Sequence, residues 1–165
     1  MNRKERATYE LNGARGALGE KRPKLRVTTP GDSTKNFQIE ATQQLIHRVD
    51  ETCRIIGENC EIKSPLRTKY LTALIEAAWQ SLLKNGNIRK IAFNYLRALE
   101  TAKESNSTPI EKLRWISEHL DASGIEFPEN GPTSMTPTLR LLLECAYDSI
   151  VLNKKKMVIE FDYTL

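Results

Sequence analysis

Apolar residues recur at helical spacing through most of the chain. Leu45, Val49, Cys53 and Ile56 share one stripe, which predicts a first helix from about Ser33 or Thr34 to Ile56, with Gly57 as its stop. At Ser64 and Pro65 a capping hydroxyl precedes the residue best tolerated in a first turn, so a second helix is expected there. Its stripe is Leu71, Leu74, Ile75, Ala78 and Leu82, and the Gly-containing segment Lys84–Asn87 ends it. A third helix, from about Asn87 to Lys103, buries Ile88, Ile91, Ala92, Tyr95 and Leu99. Thr108 and Glu111 have capping-box spacing and open a fourth helix that stops at Gly124. A loop containing Pro128, Gly131 and Pro132 follows. Thr136 and Pro137 then start a fifth helix, apolar nearly all round from Leu139 to Val151, which is the candidate for the centre of the bundle.

At the C-terminus the period changes from 3.6 to two. Met157, Ile159, Phe161, Tyr163 and Leu165 alternate with Val158, Glu160, Asp162 and Thr164, the spacing of a strand with one apolar face. A lone strand leaves its backbone groups unpaired, so the tail needs a partner, either the arm segment Leu25–Thr29 or another chain. Residues 1–34 mix Gly, Pro and charge with too few apolar positions to offset the entropy of ordering them. The expected fold is therefore mainly α, a compact bundle of about five helices. It divides into a basic extended arm over 1–34, a helical domain over 35–153 and a short C-terminal strand within 154–165.

Composition narrows the class. A chain of 165 residues is long enough for one domain with a real core. No apolar run approaches the ~18 residues of a membrane span, so no membrane partner is expected. The N-terminus carries positive charge without an apolar stretch, unlike a secretory signal. Cys53, Cys60 and Cys145 are odd in number and none forms a CxxC pair, which favours a reducing compartment, by default the cytoplasm. Charge is segregated. Residues 1–30 hold eight Lys/Arg against three Glu, a net +5, and residues 61–103 hold eight against three, again +5. Residues 104–165 hold six against ten, a net −4. Such blocks create a field that mixed charges do not.

Catalytic chemistry finds little to stand on. His47 lies on a polar helix face with no neighbouring Cys or His, and no phosphate-binding loop, dinucleotide fingerprint or nucleophile elbow occurs. The expectation is a protein that is not an enzyme and carries no cofactor and no metal. The basic blocks are the positive signal. On the third helix Lys90, Asn94 and Arg97 share one face, with Phe93 beside them. Cations flanking an aromatic suit nucleic acid, RNA or DNA, because they neutralise phosphates while the ring stacks on a base. Arg67, Lys69, Lys84 and Arg89 extend the surface, and the arm contributes Arg3, Lys4, Arg6, Lys21, Arg22, Lys24 and Arg26. The turn before the third helix also permits a helix-turn-helix. The leading expectation is a nucleic-acid-binding subunit of a larger nucleoprotein assembly. The rival is a protein–protein adaptor or self-associating protein that uses Ile159, Phe161 and Tyr163 as an added strand, and Trp115 with His119 as an outward helix face.

Overall fold

The computed structural model describes residues 12–13, 17–18, 23–29, 31–123, 126–127, 131–132 and 135–162. The positions of Arg3, Lys4, Arg6, Lys21, Arg22 and Tyr163 lie outside them. Two short ladders pair Asn12–Gly13 with Ala17–Leu18 and Glu126–Phe127 with Gly131–Pro132, the second inside the segment expected to lack regular structure.

Residues 24–40 form a hairpin, across the boundary expected between arm and helical domain. Strand β1 (Lys24–Thr29) pairs antiparallel with β2 (Asp32–Glu40). Gly31 sits at φ +81° in the connection, a conformation glycine adopts without a Cβ penalty. Asp32 Oδ1 accepts from Thr34 N at 3.0 Å and from its hydroxyl at 2.6 Å, which fixes the turn. Leu25 faces Ile39 and Val27 faces Phe37, so one side of the hairpin is apolar and packs on the core. The helix expected from Ser33 or Thr34 is displaced for this reason. The alternation Asn36, Phe37, Gln38, Ile39, Glu40 gives β2 a partner face that a helix would scatter. The boundary drawn at residue 34 falls inside β2.

Five helices follow among the described residues: α1 (Gln43–Cys60), α2 (Arg67–Asn85), α3 (Tyr95–Glu104), α4 (Pro109–Ala122) and α5 (Met135–Tyr147). The mainly α, compact bundle expected from periodicity is what the chain forms. The Thr42 side chain caps α1 by accepting from Leu45 N at 3.0 Å. Gly57 does not stop α1. It is buried within the helix, where a Cβ would lie 3.0 Å from the Ile62 carbonyl and from Ser64 backbone atoms. Helix α2 begins at Arg67, later than Ser64 and Pro65 indicate, and has no side-chain cap. Thr108 and Glu111 make both bonds of the capping box at the start of α4.

The centre of the bundle is α2, not α5. From Tyr70 to Ala78 it is buried except at Thr72, and it packs against α1, α3, α4 and β1. Helix α5 packs on α1 and α4, then ends in a π turn at Asp148–Leu152. That turn places the buried Ser149 hydroxyl to accept from Glu160 N at 2.9 Å. The Ser149 bond helps hold the last strand, β4 (Val158–Glu160), against the bundle.

Candidate nucleic-acid interface

The stretch read as the first half of a third helix is extended. Strand β3 (Lys90–Ala92) pairs antiparallel with β4, with Lys90 opposite Glu160, Ile91 opposite Ile159 and Ala92 opposite Val158. Two flanking bonds lengthen the ladder, from Phe93 N to the Met157 carbonyl and from Phe161 N to the Arg89 carbonyl, each 2.9 Å. The C-terminal strand thus pairs within its own chain, with β3 rather than with the Leu25–Thr29 segment. Buried Ile91 and Phe93 alternate with exposed Lys90, Ala92 and Asn94, the two-residue period of a half-buried strand. Asn94 then caps α3, its side chain accepting from Arg97 N at 3.1 Å. A helix-turn-helix is excluded here, because no helix follows the turn until Tyr95.

This rearrangement redistributes the expected site residues. Phe93 is buried, meets Tyr70 edge to face at 6.5 Å, and presents no face to a nucleic-acid base. Ile159 and Phe161 are buried in the core and do not form a partner surface. Arg67 holds Asp50 with two hydrogen bonds of 2.8 Å, and this bond keeps the Asp50 carboxyl below its ordinary range. Lys69 is exposed near the start of α2, about 22 Å along the helix from Lys84 at 1.5 Å per residue. Lys24 and Arg26 lie on the exposed side of β1, and Arg89 is exposed beside β3.

Lys84, Asn94 and Arg97 do come together. They line a groove of about 640 Å³ between α2 and α3. Its α2 wall is Glu76, Gln80 and Lys84, one turn apart each. Its α3 wall is Asn94, Arg97 and Thr101. Ala92, Phe93 and Met157 also line it. The space exists because the residues lining it from α2, β3 and α3 include the small Ala77, Ser81, Ala92 and Ala98. Among the described residues the side chains of Lys84, Lys90 and Arg97 enter no ion pair, although Glu160 stands opposite Lys90 in the ladder. Met157 is the end of an exposed run, Lys154, Lys155 and Lys156, and Lys155 lies 3.8 Å from Glu160. Three consecutive lysines were visible in the sequence. The net acidity of the segment around them hid their value.

The groove also borders a buried ion pair that helical periodicity did not single out. Lys112 Nζ of α4 donates to Glu76 Oε1, and each side chain is only 2% exposed. Gln80 Nε2 donates to Glu76 Oε2 at 2.7 Å. The available signal was an acid inside the apolar run Ala73–Ala78 and a lysine beside Leu113 on the inward face of α4.

A second groove, about 580 Å³, lies at the start of α1 between Glu40, Arg140 and Glu144. There Glu144 is bonded to Arg48, and Arg140 donates to the Glu40 carbonyl at 3.0 Å. Trp115 is 37% exposed and its ring lies against Trp79 with centroids 5.0 Å apart, so its outward position is answered in part by a neighbouring helix. His119 is half-buried on the same helix. Burial pushes the Cys53 thiol up to about 12 and the Cys145 thiol up to about 11, which disfavours the thiolate needed for nucleophilic or metal chemistry. Among the described residues no cluster of His, Cys, Asp and Glu has the makings of a metal site, and no helix is long and apolar enough to cross a membrane. No family model, no curated protein and no solved structure matches the chain.

Proposed function

We propose that this chain is a non-catalytic nucleic-acid-binding subunit of a larger nucleoprotein assembly, and that the groove between α2 and α3 is its contact surface. The observation that carries the reading is the meeting of Lys84, Asn94 and Arg97 in one groove, with Lys90 two residues before its lining Ala92 and the Lys154–Lys156 run directly before its lining Met157 in the chain. Cations held without acidic partners on a shared concave surface release counterions when a phosphate backbone replaces them. Arg67 is not part of this surface, and Phe93 supplies no stacking. The three free cysteines fit a reducing compartment such as the cytoplasm. The first test is binding of single-stranded RNA and DNA to the full chain at low and moderate salt. Binding that weakens with salt, and weakens again in Lys84→Ala/Arg97→Ala, supports the assignment. No binding at low salt removes it.

A second reading, a protein adaptor, draws on the contacting pair Trp79–Trp115, its rings tilted by 36°, with exposed Leu83 one turn beyond Trp79. Aromatic anchors of that kind are enriched where partners dock. Trp115→Ala would then abolish capture of a protein partner and leave nucleic-acid affinity unchanged.

A further inference from the structure

Single strands are held in two ways, their phosphates by cations and their bases by aromatic faces. The groove has the cations but no ring, since Phe93 is buried. Among the described side chains Trp115 of α4 is the one exposed aromatic, and its ring lies against half-buried Trp79 of α2 at 5.0 Å. Trp79 and Trp115 are separated by 36 residues, the same offset that joins Glu76 to Lys112, so α2 and α4 run side by side in one direction. The ring pair comes one turn after the buried ion pair that ties these helices together. The pair and the groove occupy neighbouring stripes of α2. Trp79 precedes Gln80 and exposed Leu83 precedes Lys84, and both Gln80 and Lys84 line the groove. Lys84 is five residues, or about 7.5 Å, along the helix from Trp79 at 1.5 Å per residue. Arg114, next to Trp115, is exposed and enters no ion pair among the described residues. Exposed Glu118 and Asp121 stand further along α4 and repel phosphate, which leaves the backbone of a bound strand to the α2 side.

We propose that Trp115, backed by Trp79, is a stacking platform for an unpaired base of a strand that passes over α2 into the groove at Lys84. This rests on the nucleic-acid reading and supplies the ring that reading lacks. Every base has a π-face, so the platform accepts any sequence. It selects single strands over duplexes, because bases in a duplex are already stacked on one another.

Both tryptophans of the chain belong to this pair, so the tryptophan emission of the full chain reports on it alone. The probes are oligo-dT and an abasic strand with the same number of phosphates, each at low salt. Oligo-dT is expected to quench the emission and the abasic strand to leave it unchanged. Trp115→Ala is expected to weaken oligo-dT about tenfold and leave the abasic strand at its parent affinity. Trp115→Phe keeps a ring and is expected to hold oligo-dT within about twofold of the parent. Oligo-dT that binds without quenching overturns the proposal, as does a Trp115→Ala chain that binds oligo-dT like the parent or weakens both probes alike. Each of those results leaves a phosphate-only contact, so the nucleic-acid reading survives and the ring pair falls to a protein partner. Quenching is read on the parent chain, so it decides the matter even if Trp115→Ala does not fold. Failure of both probes to bind sinks the platform and the nucleic-acid reading together.

Discussion

Lys112→Met removes one charge from the Glu76–Lys112 pair and keeps most of the lysine stem, so the loss is electrostatic rather than a loss of packing. Both side chains are 2% exposed, and solvent cannot compensate the carboxylate left behind. Breaking a buried pair from one side costs about 3–5 kcal/mol, because an unpaired buried charge remains. For a domain of this size each kcal/mol lowers Tm by roughly 2–4 °C, so the midpoint is expected to fall by roughly 6–20 °C. Glu76→Leu with Lys112→Met removes both charges, and the double variant is expected to recover to within about 1 kcal/mol of the parent or to exceed it. Thermal and urea unfolding of the parent, the single variant and the double variant measure the difference directly. A single variant that loses less than about 1 kcal/mol would refute the reasoning, as would a double variant no more stable than the single one. The pair joins α2 to α4 at the core, and Glu76 alone of the two also lines the groove.

Other predictions follow from the same contacts. Thr108→Ala removes a side-chain cap that accepts from Glu111 N at 3.1 Å, and is expected to cost about 1 kcal/mol by denaturant titration. Ile159→Ala leaves a void in the core where β4 meets the bundle, and a loss of about 2–5 kcal/mol is expected, with helicity falling in the same transition. Arg67→Ala breaks a pair whose side chains are about half exposed, so stability changes by less than about 1 kcal/mol and nucleic-acid affinity stays at the parent level. With the Cys53 thiol pushed from 9.0 to about 12, the folded chain keeps a proton that the unfolded chain releases above pH 9, so stability falls as pH rises through that window. At pH 8 a thiol reagent is expected to label half-buried Cys60 first, and Cys53 and Cys145 only on unfolding.

Where one stripe of apolar residues had one partner surface, the sequence was readable. Leu45, Val49, Cys53 and Ile56 are all buried, Thr108 and Glu111 cap as their spacing indicates, and the alternation near the C-terminus is a strand. Misreadings arose where two periods fit the same residues. Ile88, Ile91 and Tyr95 satisfy helical spacing, yet Ile91 and Phe93 also satisfy a strand, and pairing with Val158–Glu160 decides between them. That pairing joins segments far apart in the chain, so no local window contains it. It also turns Phe93 inward and Ile159 and Phe161 into the core, which removes the expected stacking ring and the expected partner strand together. The hairpin was obscured by its polar outer face, since Thr34, Lys35 and Asn36 resemble a helix start until Ile39 is seen opposite Leu25. Of the candidate site, Asn94 and Arg97 were read with Lys90 on one helix face; Lys90 lies instead in β3, and the groove lining joins Asn94 and Arg97 to Lys84, which was expected only to extend the surface. Arg67 was not separable from them, because Asp50 lies on a different helix.

The most direct measurement is the salt dependence of single-strand affinity in two double variants, Lys84→Ala/Arg97→Ala and Arg67→Ala/Lys69→Ala. Each phosphate contact contributes about 0.7 to the slope of log affinity against log salt for single strands. The first variant is expected to flatten that slope by about 1.4, and the second to leave it at the parent value. Equal slopes in the first variant and the parent, or a flattening confined to the second, would place the polyanion elsewhere on the molecule and contradict the groove as its binding surface.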